Sequence, residues 1–126
     1  MQIRLAVNLD LEPLSHLLNQ YRNQLDYEKD YQACRSFLIN RLSENDSIIF
    51  VALKGDELVG FIQLYPSFSS LHLKPVWHLE DAFVIDDFRH QGIAGMMLEK
   101  AKQLADGTEV LLINNKIDIE QTEMIA

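Results

Sequence analysis

The chain has few of the residues that build covalent cross-links or membrane segments. It contains one cysteine, Cys34, so an intrachain disulfide and a cysteine-rich zinc site are both excluded. No apolar run approaches the ~20 residues that a membrane-spanning helix needs. The N-terminus also lacks a basic segment followed by an apolar stretch, so no signal peptide is expected. These absences predict a soluble, cytoplasmic protein that does not contact a membrane.

Positive charge is also scarce. Eleven Lys and Arg residues stand against nineteen Asp and Glu residues, which gives a net charge of −8. Binding to a nucleic-acid backbone draws its affinity from clustered Lys and Arg, so this balance argues against a nucleic-acid partner. The acidity suits a cationic or amine-bearing small molecule, although a solvated acidic surface is the simpler explanation. With 48% hydrophobic and 9% aromatic residues, the composition is that of an ordinary globular domain.

The hydrophobic pattern predicts a mixed α/β domain with the element order β-α-α-β-β-β-α-β. Neither a repeat nor a Pro/Gly/Ser linker divides the chain, so residues 1–113 are interpreted as one domain and residues 114–126 as an atypical short tail. Asn8 or Asp10 is expected to cap the first helix, and Pro66 and Pro75 are expected to lie in a loop. The predicted strands are 3–7, 48–53, 58–65, 76–85 and 110–113, and the predicted helices cover about 11–25, 30–44 and the stretch up to 105.

The segment from Leu79 to Leu98 is the most informative part of the chain. Gly92 and Gly95 lie where a strand has ended and a helix begins, so the backbone can approach a ligand closely. The unpaired N–H groups at a helix N-terminus suit a pyrophosphate, and Arg89 can add a charge-assisted contact. A G-x-x-G spacing alone is weak, and a turn that merely uses glycine explains it too. Walker-type and dinucleotide-binding glycine motifs are absent.

The context of this turn resembles the GNAT family of N-acetyltransferases. The run Arg89-His90-Gln91-Gly92-Ile93-Ala94 is similar to the family signature R/Q-x-x-G-x-G/A. Leu79–Val84 resembles the family's fourth strand, and Val59-Gly60-Phe61 resembles its third. The resemblance covers roughly residues 3–113. After that point the family's closing tyrosine motif and last two strands have no counterpart, so the chain is interpreted as a C-terminally truncated GNAT domain that lacks the last hairpin.

The resemblance implies acetyl-CoA as co-substrate. Phe83 and Val84 would pair through their backbone with the pantetheine arm, and the amide of Val84 or its neighbour would polarise the thioester carbonyl. A free amine would then attack the thioester directly. The residues implied to line the pyrophosphate site are Arg89, His90, Gln91, Gly92, Ile93, Ala94 and Gly95.

Glu80 is the candidate for proton transfer. An amine that resembles lysine is protonated at neutral pH, with an ordinary pKa near ~10.4, so a base must remove a proton before attack. Glu80 lies on the strand beside the implied thioester site, as base or as amine anchor, although a purely structural carboxylate is an equal alternative. Strand alternation places Asp81 on the opposite face. The histidines show no metal-ligand spacing, so no metal is expected.

The predicted function is acetyl-CoA-dependent transfer of an acetyl group to a small amine or an exposed amino group on a peptide. The alternative is a GNAT-like module that binds acetyl-CoA without turnover, because no tyrosine follows Tyr65 to act as general acid. Tyr21, Tyr27 and Tyr31 are interpreted as core or rim residues. The open strand edge at 110–113 invites pairing with another chain, which predicts a homodimer.

Overall fold

The apolar alternation of the strands and the helical spacing of Leu and Ala residues produce a five-stranded sheet with helices on both faces. The computed structural model describes residues 1–113, so the tail at 114–126 lies outside the described residues. The predicted element order and the mixed α/β class are confirmed. The strands are β1 (Gln2–Leu5), β2 (Ile48–Lys54), β3 (Glu57–Ser69), β4 (Lys74–Val84) and β5 (Leu111–Ile113), and the helices are α1 (Leu11–Gln24), α2 (Tyr31–Glu44) and α3 (Ile93–Gly107).

The sheet has the order β1-β2-β3-β4-β5. The first four strands are antiparallel neighbours, and β5 pairs with β4 in parallel after the crossover through α3. Within residues 1–113, β5 contacts β4 only from Val76 to His78. The C-terminal half of β4, from Leu79 to Val84, therefore keeps an edge that β5 does not cover.

Side chains that alternate along the strands form two cores. On β2, Phe50 and Ala52 pack toward α3, whereas Ile49 and Val51 pack toward α1 and α2. On α3, Met96 is 41% exposed and does not belong to the core. Successive helical residues are turned by about 100° from one another, so its neighbour Met97 takes the buried position.

The predicted loop around the two prolines is also wrong. Pro66 and Pro75 both lie within strands, because β3 and β4 stay paired as far as Ser69 opposite Lys74. Among the described residues, each proline has a neighbouring strand on one side only, since β2 ends opposite Leu64 and β5 begins opposite Val76. Proline is tolerated in such edge positions because its missing N–H breaks no second ladder.

The start of α1 differs from the expected cap. Asp10 is the residue before the helix, but its carboxylate makes no bond to the helix. It instead accepts hydrogen bonds from Arg4 at 2.7 and 3.0 Å and from the Val7 N–H at 2.8 Å. Asp10 therefore ties β1 to α1, which fixes how the helix lies over the sheet.

Candidate active site

A β-bulge in β4 shapes the site. Asp81 is opposite Gln63 on β3, and Leu79 is opposite the next residue, Leu64, so Glu80 is the extra residue of the bulge. A bulge re-aims the side chains around it. Asp81 accordingly lies on the face covered by α1 and α2, where the Tyr21 hydroxyl donates to Asp81 Oδ1 at 3.1 Å.

A pocket of about 480 Å³ opens beside this bulge, between α1, α2, β3 and β4. The volume is that of a small-molecule site. Its floor is polar and its walls are mostly apolar. The lining residues are Leu18, Tyr21, Arg22, Leu25, Tyr27, Ala33, Cys34, Phe37, Gln63, Tyr65 and Asp81.

Two phenols of this pocket remain protonated at neutral pH. Burial, reinforced by the negative charge of Asp81 and its hydrogen bond, raises the pKa of Tyr21 well above its ordinary value. Burial and the charge of Asp81 raise the pKa of Tyr65 to about 12. The charge of Glu80 contributes to both shifts, so Glu80 lies near both phenols. Each phenol can therefore donate a hydrogen bond or a proton.

The Tyr21 ring is fixed by aromatic packing. It makes an edge-to-face contact with Phe61, with ring centroids 5.7 Å apart, and lies 5.8 Å from the Phe83 ring. Such contacts favour one geometry over others. The hydroxyl of Tyr21 is thus held over Asp81 by rigid neighbours rather than by a mobile side chain.

The backbone of β4 presents amides to the edge that Leu111–Ile113 of β5 do not cover. Ile85 N–H donates to Val59 O at 2.9 Å, so the backbone groups of Ile85, and two residues earlier those of Phe83, point toward β3. The amides of Ala82 and Val84 therefore point to the opposite edge. The Ala82 N–H lies close enough to the Tyr21 phenol to oppose the rise of its pKa, which places this edge beside the pocket.

The glycine turn lies at the far end of the same edge. Gly92 has φ +77° and precedes the first residue of α3, a left-handed conformation that suits glycine. Helical hydrogen bonding begins with Met96 N–H to Gly92 O at 3.0 Å. The amides of Ile93 and Ala94, in the turn before it, point out of the helix N-terminus, where an anion is favoured.

Comparisons with known proteins match this arrangement. The model of the Acetyltransferase (GNAT) family matches residues 11–119. The chain belongs to the GNAT family. The predicted resemblance is therefore confirmed, and the protein is an enzyme of the acetyltransferase class.

Three relatives illustrate the match to GNAT proteins. The N-acetyltransferase YhfO of Bacillus subtilis, whose activity is uncharacterised, is 39% identical over 83% of this chain and 70% of its own length. A crystal structure described as a "probable acetyltransferase" shares 39% identity, with a TM-score of 0.82 over 90% of this chain and 79% of that one. An acetyltransferase of Clostridium acetobutylicum, described "with acetyl-CoA", has the same fold at 14% identity, with a TM-score of 0.71 over 89% of this chain and 79% of that one.

The side chain of Arg89, part of the GNAT signature, is turned inward. Its guanidinium donates to Val84 O at 2.9 Å and to Gln24 Oε1 at 2.7 Å, and it pairs with Asp86 at 2.8 Å. It also lies 5.6 Å from the centre of the Phe83 ring. In this structure Arg89 joins β4, α1 and the glycine turn, so it holds the turn in place.

The other predicted residues of the turn are brought together at the start of α3. His90 and Gln91 are exposed, and His90 has φ +62°. Gly95 is the third residue of α3 and Ile93 the first, so both belong to the turn that follows Gly92. The predicted residues therefore follow one another through a single turn, in which the side chains of Ile93 and Ala94 are buried.

The sequence analysis assigned neither Asp81 nor Tyr65 to a site, although both line the pocket. Simple alternation placed Asp81 on the wrong face because it takes no account of a bulge, and a buried-strand pattern gives no sign of a phenol in a pocket. Within residues 1–113, no group of three or more His, Cys, Asp or Glu residues could hold a metal ion. In the same part of the chain, no helix is long and apolar enough to cross a membrane.

Proposed function

We propose that this GNAT protein transfers an acetyl group from acetyl-CoA to a primary amine, on a small molecule or as an exposed amino group on a peptide. The observation that carries the proposal is a continuous path along one edge of β4. The path begins at the pocket that contains Asp81, passes the outward amides of Ala82 and Val84, and ends at the turn with Gly92. GNAT proteins use acetyl-CoA, and the Bacillus subtilis relative is named an N-acetyltransferase.

The residues of this edge fit acetyl-CoA. The backbone amides from Gln91 to Gly95 would bind the pyrophosphate, since the turn has a left-handed Gly92 at the N-terminus of α3. The Val84 amide would donate to the thioester carbonyl, where negative charge develops during acyl transfer. The backbone groups of Phe83 point toward β3, so Phe83 would contribute to acetyl-CoA binding through its ring. Acetyl-CoA, when bound, supplies the activated acetyl group as a thioester.

The proton chemistry would come from carboxylates and phenols near the bulge. Glu80 would accept the proton of the incoming ammonium group, directly or through a water molecule. The pKa values of Tyr21 and Tyr65 are raised mainly by burial, so both phenols stay protonated and can donate toward a departing thiolate. Both phenols line the pocket, which makes these two the candidates for that role.

Isothermal titration with acetyl-CoA tests the proposal. We expect binding by the wild type and loss of binding in Gly92→Glu, because a carboxylate would enter the pyrophosphate turn. Gly55→Glu is the matched control, since Gly55 also has a positive φ, of +61°, and its Cβ would meet nothing within 4 Å. A folded protein that binds no acetyl-CoA, or binding that Gly92→Glu leaves unchanged, would contradict the proposal.

Thiol release separates an active enzyme from a GNAT-like module that binds acetyl-CoA without turnover. We expect thiol release above the uncatalysed rate with a primary amine. Tight acetyl-CoA binding without release across an amine panel would favour the module. Glu80→Gln distinguishes the two roles of Glu80, because loss of a base lowers kcat whereas loss of an anchor mainly raises KM.

A further inference from the structure

A second groove lies between α1 and the end of β4. Its volume is about 550 Å³. One wall consists of polar side chains of α1 and of the connection between α1 and α2, where Lys29 lies. The other wall runs from Phe83 on β4 to Arg89. The groove therefore leads to the glycine turn, because Arg89 is three residues before Gly92.

The guanidinium of Arg89 is already engaged in this groove. Nε donates to Val84 O at 2.9 Å, and Nη2 donates to Gln24 Oε1 at 2.7 Å. Nη1 pairs with Asp86 Oδ1 at 2.8 Å, and the arginine side chain is 18% exposed. Each guanidinium nitrogen therefore has a partner, and the positive charge is matched by a carboxylate. Arg89 is suited to hold the turn rather than to meet an incoming phosphate.

Lys29 carries the other positive charge of the groove. Within residues 1–113, Arg89 and Lys29 are the two cations that line it. Lys29 is exposed, and no ion pair within the described part of the chain involves its ammonium group. This charge is therefore available to an anion that enters the groove.

The backbone around Lys29 is tied to α1 on both sides. The preceding carbonyl, Glu28 O, accepts a hydrogen bond from Arg22 at 3.2 Å. The following amide, Asp30 N–H, donates to Asn19 Oδ1 at 2.8 Å. Lys29 therefore extends from a backbone that is held in place, so less conformational freedom is lost when its side chain binds a ligand.

The charges near the turn create a need for this lysine. Asp86 and Asp87 both lie on the strand wall, and Arg89 pairs with the first of them. The chain as a whole has a net charge of −8. A diphosphate that approaches the amides of the turn is therefore repelled by nearby carboxylates. A lysine on the opposite wall would offset this repulsion, since its ammonium group binds phosphate as a compact point charge.

We propose that Lys29 supplies the positive charge for the diphosphate of acetyl-CoA, whereas Arg89 positions the turn whose amides bind the same group. The inference rests on the proposed function and names a further binding residue for it.

Isothermal titration with acetyl-CoA tests the role of Lys29. We expect Lys29→Gln to weaken binding roughly 5- to 10-fold at about 0.05 M NaCl, as a charge-assisted contact near the surface should. The loss should shrink at about 0.5 M NaCl because salt screens exposed charges. Lys29→Arg, which keeps the charge, should retain most of the affinity. Lys29→Gln should unfold at the same urea concentration as wild type, because no ion pair within residues 1–113 is removed.

Lys54→Gln is the matched control. Lys54 is the last residue of β2, is exposed and lies outside the groove. The substitution removes the same charge from the protein, so it reproduces any effect of net charge alone. We expect it to leave the Kd for acetyl-CoA unchanged.

Dephospho-CoA identifies the phosphate that Lys29 contacts. This molecule keeps the diphosphate and lacks the 3′-phosphate of CoA. We expect Lys29→Gln to weaken the binding of CoA and of dephospho-CoA by the same factor.

Three results would overturn the inference while acetyl-CoA binding, and with it the proposed function, stands. They are an unchanged Kd in Lys29→Gln, an equal loss in Lys54→Gln, and a loss with CoA that disappears with dephospho-CoA. The last result would assign Lys29 to the 3′-phosphate instead. A folded wild type that binds no acetyl-CoA would contradict the proposed function and the inference together.

Discussion

Gly60 on β3 is packed so closely against β4 that one added methyl group should displace that strand. A Cβ at Gly60 would lie 2.9 Å from Phe83 O, 3.1 Å from Val84 Cγ2 and 3.4 Å from Met97 Cε. Since ordinary contact begins at 3.4 Å, the oxygen must move by 3.4 − 2.9 = 0.5 Å. This oxygen belongs to the backbone and cannot rotate away, so β4 itself must shift. Overpacking of this kind costs about 1–3 kcal/mol.

We therefore expect Gly60→Ala to lower the free energy of unfolding by about 2 kcal/mol, measured by urea denaturation with an unchanged m-value. We also expect weaker acetyl-CoA binding in titration, because the displaced segment carries the Val84 amide. Gly107→Ala is the control, since a Cβ at Gly107 would meet nothing within 4 Å. If Gly60→Ala unfolds at the same urea concentration as Gly107→Ala, the packing argument is refuted.

Three further measurements address stability and assembly. Burial alone would raise the pKa of Asp10, but hydrogen bonds from Arg4 and the Val7 N–H outweigh it and lower that pKa. The stabilisation is therefore complete above the ordinary pKa near ~3.9 and is lost as pH falls through the lowered value. In urea denaturation, the stability advantage of wild type over Asp10→Asn should shrink below about pH 4, and an advantage independent of pH would contradict this. Asn45 ends α2 with φ +54°. In the same assay, Asn45→Val should lower the free energy of unfolding by about 1–2 kcal/mol, and Asn45→Gly should not. Equal stability of the two variants would be inconsistent with strain at this position. We also predict a homodimer through the edge at 110–113, and light scattering at micromolar concentration that finds only a 14.5 kDa monomer would refute it.

The elements could be predicted because each carries a local signal. The apolar run from Ile48 is too short for a helix and is followed by Gly55, whose positive φ makes the hairpin turn. Asn45 ends α2 in the left-handed conformation, which asparagine adopts more readily than most residues. Gly92 directly precedes α3, at the junction of strand and helix that the sequence predicted. In these places the conformation depends on neighbours in the sequence, so the sequence is sufficient.

The pocket could not be predicted because it depends on contacts distant in sequence. No local pattern marks Glu80 as a bulge residue, yet the bulge decides which face receives Asp81. Tyr21 and Asp81 are 60 residues apart and meet only when α1 lies across the sheet. The inward bonds of Arg89 likewise require Gln24, which is 65 residues away. A residue type shows what chemistry is possible there, whereas the folded sheet decides which groups meet.

Helix α1 connects the two regions that we propose bind substrate, and this has a thermodynamic consequence. Tyr21 contacts the pocket floor, and Gln24, one turn later on the same face, holds the Arg89 side chain at the glycine turn. A ligand that immobilises one end of α1 lowers the conformational entropy of the helix. A second ligand that binds at the other end then loses less entropy. We therefore expect positive cooperativity between acetyl-CoA and the amine. By linkage, each ligand must raise the affinity of the other by the same factor.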